Sequence, residues 1–200
     1  PGRTRRPVPP RPAGRVYLRP PVAADEADFL ARVEASRALH GPWVHPPRTP
    51  AEFRYYLARA AREWDALPGH ACRLVVRATD DAVVGAANLN NLLWGGLRAA
   101  QLGYYALAPH AGRGYVREGV ALLLTHAFRR LGLHRVEAAV QPGNAASLAL
   151  VRALGFRHEG TSPRYLKLAG QWRDHERFAL HAEEWRPGRA GRRPPTPSTE

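Results

Sequence analysis

One junction in the chain restricts its fold more than any other feature. An apolar, aromatic run, "LGYYALAP" (Leu102–Pro109), leads into "HAGRGYVREG" (His110–Gly119), and the amphipathic run "VALLLTHAFRRLGL" (Val120–Leu133) comes next. We interpret this as a strand that turns into a helix at two glycines, with a further strand at His134–Val140. A strand, a helix and a strand in this order form a right-handed crossover with two parallel strands.

The two glycines, Gly112 and Gly114, lie where the predicted helix begins. Backbone N–H groups of a first helical turn lack partners within the helix and point outward at the positive end of its dipole, which suits a phosphate or pyrophosphate. Glycines remove the Cβ atoms that would hold such a group away, and Arg113 adds a charged donor. The pattern is not Gly-x-Gly-x-x-Gly, because residue 117 is arginine, and no Gly-Lys-Ser/Thr of a Walker loop follows.

Periodicity and turn signals predict the other elements, in the order β-α-α-β-β-β-α-β-α-β-β. Thr49, Pro50 and Glu52 form the pattern of a capping box, so a helix starts there and runs to about Trp64. The rest are a strand at Arg15–Pro21, a helix at Ala23–His40, strands flanking Thr79–Asp81, a strand at Ala99–Ala108, a helix capped by Asn144 and ending at Gly155, and two strands in Tyr165–Leu180 joined at Ala169–Gly170.

The net charge of +13 is concentrated at the two ends of the chain. Residues 1–15 carry five arginines and no acid, residues 186–200 carry four arginines and one glutamate, and together they hold +8, which leaves +5 for the body. Segments rich in proline, glycine and arginine bury too little to offset their ordering entropy. We therefore expect disordered basic tails at 1–14 and 186–200. They are either merely solvated or attracted to an RNA-rich particle such as a ribosome.

Cysteine and histidine content argues against a disulfide or a metal centre. Cys72 is the only cysteine, and we interpret it as a core thiol. The nine histidines lack the spacing of metal ligands, so no metal is expected. No apolar run reaches the roughly 20 residues that span a bilayer, and the first residues lack the apolar part of a signal peptide. We therefore expect a cytoplasmic protein without membrane contact.

Three segments together resemble the GNAT superfamily of acetyl-CoA-dependent N-acetyltransferases. They are "LGYYALAPHAGRGYVREGV", "LGLHRVEAAVQPGNAASLALVRALGFRHEG" and "RYLKLAGQWRDHERFAL". Within the superfamily the chain looks most like the RimJ/RimL type, which acetylates N-terminal α-amines of ribosomal proteins. The resemblance implies a GNAT domain at 15–185 of the α/β (α+β) class. Its sheet would be mixed and mostly antiparallel, with about seven strands, a splayed parallel pair and helices on both faces.

The resemblance also implies where acetyl-CoA binds. The pantetheine arm would lie between the two splayed strands and pair with exposed backbone groups near Tyr105–Leu107. Asn144 would bond the pantetheine, and Ser147, three residues further on the same helical face, would face the thioester sulfur. The residues expected to bind the cosubstrate are Tyr105, Ala106, Leu107, Gly112, Arg113, Gly114, Tyr115, Val116, Asn144 and Ser147.

The reaction implied is direct attack of an amine on the thioester in a ternary complex. Ser147 or Tyr165 would give a proton to the leaving thiolate. The general base is not at the positions that the resemblance implies, because Arg164 and Gln101 stand where relatives carry acids. Glu137, on the strand bordering the proposed cleft, is the candidate base, whereas Glu118 is expected to brace the phosphate loop.

The resemblance implies that the proline-rich loop between the first two helices overhangs the acceptor site. Trp43 on this loop, Tyr104 and Tyr165 are therefore expected to contact the acceptor, with plain packing as the alternative for Trp43. Asp174 and His175 are neighbours in a strand and therefore face opposite sides, so we assign them structural or substrate-wall roles.

Three functions remain open. The first is acetylation of a protein N-terminus, possibly of a ribosomal protein. The second is acetylation of a small amine such as an aminoglycoside or polyamine, and the third is an inactive GNAT fold that binds ribosomes or RNA, which the departures at Arg164, Gln101 and Pro109 keep open. We expect no direct DNA binding, and a monomer or homodimer.

Overall fold

The computed structural model describes residues 14–61 and 69–187. The described residues form one sheet in the order β1-β2-β3-β4-β5-β7-β6, in which the pair β4 and β5 is parallel and the other neighbours are antiparallel. The strands are β1 (Val16–Arg19), β2 (Gly69–Arg77), β3 (Val83–Leu93), β4 (Ala99–Ala106), β5 (Arg135–Val140), β6 (Arg157–Leu168) and β7 (Gln171–His181). The helices are α1 (Glu26–Ala35), α2 (Arg37–His40), α3 (Pro50–Ala60), α4 (Tyr115–Arg129) and α5 (Ala145–Ala153), with a 3₁₀ turn at Ala23–Asp25.

The crossover predicted from the opening junction is confirmed. Strand β4 runs into α4, and β5 returns beside β4 in parallel register, from Ala99↔Arg135 to Gln101↔Glu137. Seven strands with one parallel pair and helices on both sides agree with the predicted fold class.

The single helix predicted over Ala23–His40 is wrong in detail, because Ser36 interrupts it. The Ser36 hydroxyl donates to the Arg32 carbonyl at 2.6 Å and accepts from the N–H of Ala108 at 2.8 Å. A serine inside a helix can take over backbone bonds in this way and break the helix. The hydrogen bond from Ala108 to Ser36 connects the end of the first helical segment to the chain just after β4.

Strand β6 begins at Arg157, well before the predicted start at Tyr165. It lies at the edge of the sheet, and its residues are exposed or half-buried throughout. An exposed edge strand needs no apolar alternation, so the polar run before Tyr165 gave no strand signal. The register shifts between Ser162 and Leu166, which accommodates Pro163.

Helices cover both faces of the sheet. The buried cluster on one face contains Leu124 of α4, and the cluster on the other contains Phe29 of α1 and Phe53 of α3. Successive side chains of a strand point to opposite faces. Tyr105 accordingly belongs to the α1–α3 cluster, whereas Tyr104 packs against the α4 cluster.

The capping box is confirmed: the Thr49 hydroxyl accepts from the N–H of Glu52 at 3.2 Å, and the Glu52 carboxylate accepts from the N–H of Thr49 at 3.0 Å. The predicted extension of this helix to about Trp64 lies outside the described residues, as do the tails except for their inner ends at 14 and 186–187. Within the described part of the chain, no helix is long and apolar enough to cross a membrane.

Candidate active site

A gap opens in the middle of the sheet where β4 and β5 separate. Their ladder ends at Gln101↔Glu137, although β4 continues to Ala106 and β5 to Val140. A cavity of about 610 Å³ fills the gap, lined by both strands, α5, the loop after α2, and β6 and β7. Its size is that of a pocket for a small molecule.

Backbone groups on the β4 side of the gap alternate in direction. The N–H of Leu107 donates to the Val84 carbonyl of β3 at 3.0 Å. In antiparallel register Tyr105 is directed towards β3 in the same way, whereas Ala106 is directed towards the gap. The predicted backbone contacts to pantetheine are therefore narrowed to Ala106. Tyr105 pairs with β3, and the Leu107 N–H and carbonyl are bonded to Val84 and His110.

The Ala106 carbonyl already has a partner, which the sequence did not suggest. His40 Nε2 donates to it at 2.8 Å from the end of α2. Burial lowers the pKa of His40 below its usual value, so the ring is neutral at pH 7 and Nε2 carries the proton. The side chains of Tyr105 and Leu107 are buried behind this contact.

The glycine loop has the conformation that the sequence predicts for an anion site. Gly112 and Gly114 adopt φ +76° and +79°, where other residues are strained, and a Cβ on Gly112 would meet open space. The first intrahelical bond of α4 runs from the N–H of Glu118 to the Gly114 carbonyl. The N–H groups of residues 115–117 precede it and are available to a ligand. Arg113 is exposed, whereas Val116 is buried and can contribute only its backbone.

Glu118 braces this loop through Arg15. The Glu118 carboxylate accepts from the backbone N–H of Arg15 at 2.7 Å and from its Nε at 3.0 Å. Arg15 also donates to the Arg113 carbonyl at 3.2 Å, and its guanidinium lies 5.1 Å from the centre of the Tyr115 ring. These contacts attach the start of β1 to the loop and hold the first turn of α4 in place.

On the α4–α5 face of the gap, Tyr104 meets the start of α5. Its hydroxyl lies in hydrogen-bond contact with the Ser147 hydroxyl, and the Asn144 carbonyl oxygen accepts from the N–H of Ser147 at 3.1 Å as the helix cap. Burial raises the pKa of Tyr104 to about 12, so the phenol stays protonated at neutral pH. The structure therefore brings Tyr104, predicted only as a substrate contact, to the residue expected to face the sulfur.

On the opposite face, Tyr165 lies between two side chains of β7. The Arg177 guanidinium is 4.2 Å from the centre of the Tyr165 ring, and the His175 ring is 5.8 Å away in an edge-on arrangement. Gln101 Nε2 approaches the Tyr165 hydroxyl at 3.5 Å. His175 and Arg177 line the cavity, whereas Asp174 turns away and accepts from the N–H of Arg164, as the alternation of a strand predicts.

Glu137 lines the cavity but is already paired. Its Oε1 accepts from Arg135 Nε at 2.7 Å, and its Oε2 accepts from Arg177 Nη2 at 3.0 Å. Both carboxylate oxygens therefore already accept from a guanidinium group, and neither is left without a partner for an incoming amine. The geometry therefore disfavours Glu137 as the base, and assigns it instead to holding Arg177 beside Tyr165.

Trp43 closes the cavity from the loop after α2. A Cβ added to Gly143 would lie 3.2 Å from the Trp43 ring, so the ring rests on the turn before α5. Gln141 Nε2 donates to the Pro42 carbonyl at 3.0 Å and fixes the same loop across the gap. Trp43 thus forms part of the cavity wall.

Two contacts of the site were not predicted from the sequence, namely that of His40 with Ala106 and the Tyr104–Ser147 pair, whereas a place in the substrate wall was one of the two roles expected for His175. Each depends on which strands or helices are neighbours in space. The alternation of β4 and β7 was the one signal that could have indicated the faces of Tyr104 and His175. In residues 14–61 and 69–187, no group of three or more His, Cys, Asp or Glu side chains could hold a metal ion.

Comparison with known proteins agrees with this arrangement. Residues 15–157 match the family described as Acetyltransferase (GNAT) domain. The fold superposes on Mycobacterium smegmatis RimJ in complex with CoA-disulfide with a TM-score of 0.76 and 31% sequence identity, covering 88% of this chain and 86% of that one.

Two curated relatives match over shorter stretches. The probable N-acetyltransferase YjcK of Bacillus subtilis (strain 168) is 36% identical over 106 residues, which are 53% of this chain and 59% of the relative. The ribosomal protein uS5-alanine N-acetyltransferase of Escherichia coli (strain K12) is 36% identical over 107 residues, 54% of this chain and 55% of the relative. The chain thus spans little more than half the length of these relatives. Because the family match covers most of the chain, the chain belongs to the GNAT acetyltransferase family.

Proposed function

We propose that this protein transfers an acetyl group from acetyl-CoA to the α-amine of a protein N-terminus, by direct attack in a ternary complex. The observation that carries the proposal is the charge of the cavity. Glu137 is the only carboxylate among the described lining residues, and two arginines neutralise it. Such a cavity suits an acceptor that brings little positive charge.

GNAT acetyltransferases use acetyl-CoA, and the residues of this chain fit it. The gap beside Ala106 and β5 would take the pantetheine arm. The N–H groups of residues 115–117 and the side chain of Arg113 would hold the pyrophosphate, in space that a Cβ on Gly112 would enter. The cosubstrate supplies the activated acetyl group, and residues of the chain would position it and transfer protons.

The acceptor's own basicity supports an α-amine. An α-amine has a pKa of about 7.7–8.0, whereas that of lysine is about 10.4. About a tenth of α-amines are neutral at pH 7, against a few in ten thousand lysines, which corresponds to about 3.5 kcal/mol. A site in which the carboxylate is already paired is suited to the amine that needs less deprotonation.

Residues on the two faces of the gap would have different roles in the reaction. On the α5 side, the protonated Tyr104 and Ser147 form a hydroxyl pair that can pass a proton to a leaving sulfur. This intact pair also argues against an inactive module that only binds ribosomes or RNA. The acceptor would enter on the opposite side, between Trp43 and Tyr165, both of which line the cavity.

The alternative acceptor is a small polycation such as spermidine. Such a ligand would need carboxylates, and here it would meet Arg177 instead. We expect kcat/KM for a peptide with a free N-terminal alanine to exceed that for spermidine by about 100-fold, from like-charge repulsion and from the lower neutral fraction of spermidine.

The measurement is competition of the two acceptors for limiting acetyl-CoA at pH 7, with products separated by mass. The same peptide with a blocked N-terminus is the control and should give no product. Preferential acetylation of spermidine would refute the proposed acceptor class.

A further inference from the structure

The paired state of Glu137 leaves the reaction without an evident proton acceptor on the side where the amine enters. Asp174 faces away from the cavity and is bound to Arg164. A base must have a lone pair within reach of the amine, directly or through one water. The cavity-lining histidines are the remaining groups to consider, and they are His40, His45 and His175.

Two of the three histidines are poorly placed. His40 uses Nε2 to donate to Ala106, and its other nitrogen, Nδ1, is buried without a hydrogen-bond partner. That lone pair therefore does not reach the cavity. His45 lies exposed on the loop after α2.

His175 has the arrangement of an oriented base. Its Nδ1 lies 3.0 Å from the Arg173 carbonyl, which can only accept a hydrogen bond, so Nδ1 carries the proton of the neutral ring. The lone pair is then on Nε2, in a residue that is 2% exposed yet lines the cavity. Packing against Tyr165 fixes the ring further. A second hydrogen bond that sets the tautomer is how proteins prepare a histidine to accept a proton.

We propose that Nε2 of His175 is the general base that takes the proton of the acceptor amine. The inference rests on the acetyl transfer proposed above. The nitrogen lone pair forms the bond to the thioester carbonyl carbon, and the C–S bond breaks with its electrons going to sulfur. One proton moves from nitrogen to His175, and the Tyr104–Ser147 pair returns one to sulfur. Exchange with solvent then restores both groups.

Other titratable or charged groups share the cavity with His175. They are His40, His45, Tyr104, Glu137, Tyr165 and Arg177, with Arg173 next on the same side of β7. The tautomer test below does not depend on them, because it reads His175 directly.

The experiment compares the wild-type protein with His175→Asn. Asparagine can keep the bond to the Arg173 carbonyl through its amide N–H but has no basic nitrogen. We expect kcat/KM to fall about 100-fold, with acetyl-CoA affinity unchanged. His134→Asn, which removes a half-exposed histidine beside Glu183, is the matched control and should behave as wild type.

Nitrogen NMR of the imidazoles, without acetyl-CoA, gives a readout independent of activity. The signal that disappears in His175→Asn should show a neutral ring protonated at Nδ1. A ring protonated at Nε2, or a His175→Asn variant with wild-type kcat/KM, would overturn the inference. Kinetics use whichever acceptor is turned over, so turnover of spermidine alone would refute the proposed acceptor while leaving the His175 comparison decisive. A protein that acetylates neither amine would overturn both.

Discussion

Replacing Gly112 by valine should weaken acetyl-CoA binding about 100-fold, because the new side chain enters the space beside the first turn of α4 where the pyrophosphate would lie. Loss of one hydrogen bond to a charged group costs about 1.5–3 kcal/mol, which is enough for a 100-fold loss of affinity. A Cβ added at Gly112 would meet no other atom within 4 Å, so the substitution causes no clash within the protein itself. Isothermal titration calorimetry with acetyl-CoA measures the effect.

Gly95 supplies a matched control for backbone strain. Gly112 and Gly95 have φ +76° and +74°, and a Cβ at either position meets nothing within 4 Å. Valine at either site therefore carries a similar conformational cost of about 1–2 kcal/mol, but only position 112 lies at the proposed phosphate site. Acetyl-pantetheine, which lacks the pyrophosphate, should bind Gly112→Val and wild type alike. Equal acetyl-CoA affinity for Gly112→Val and Gly95→Val would contradict the assignment of the loop.

Replacing Tyr104 by phenylalanine should lower kcat about 100-fold and leave the KM for acetyl-CoA nearly unchanged, since the hydroxyl acts when the sulfur leaves. Ser147→Ala should have a similar effect. The two hydroxyls are in contact and form one path for the proton, so the double variant should lose little more than either single one. Steady-state kinetics of the four proteins measure this.

The raised pKa of Tyr104 also predicts how the contribution of this group depends on pH. Burial favours the neutral phenol, so the folded protein keeps it protonated up to about pH 12. Its contribution to stability is complete below the ordinary tyrosine value of about 10 and is lost as the pH rises through 12. Loss of activity from this group is therefore not expected at neutral pH. Tyr55→Phe, on an exposed ring of α3, is the control. If kcat of the Tyr104→Phe/Ser147→Ala double variant fell by the product of the two single-variant factors, a shared proton path would be refuted.

The fold was predictable where local pattern and tertiary contact agree. The apolar strand, the positive-φ glycines and the amphipathic face of α4 all favour the same crossover, and the Thr49–Glu52 box needs only neighbours in sequence. The prediction missed β6 from Arg157 because an edge strand buries little, and it missed the break at Ser36 because the partner there, Ala108, is distant in sequence.

The site was predictable only in part, for a related reason. Gly112, Gly114 and the cap of Ser147 by Asn144 follow from helix starts, which are local. The pairing of Glu137 with Arg177 depends on β5 and β7 being neighbours in the sheet, which periodicity does not encode.

Acceptor identity is tested most directly with one peptide that carries both a free α-amine and an internal lysine. The peptide is incubated with the protein and acetyl-CoA at pH 7, and tandem mass spectrometry locates the acetyl group. We expect acetylation of the N-terminal amine, with the lysine unmodified. Acetyl groups on the lysine, or a protein that binds acetyl-CoA and modifies neither amine, would contradict it.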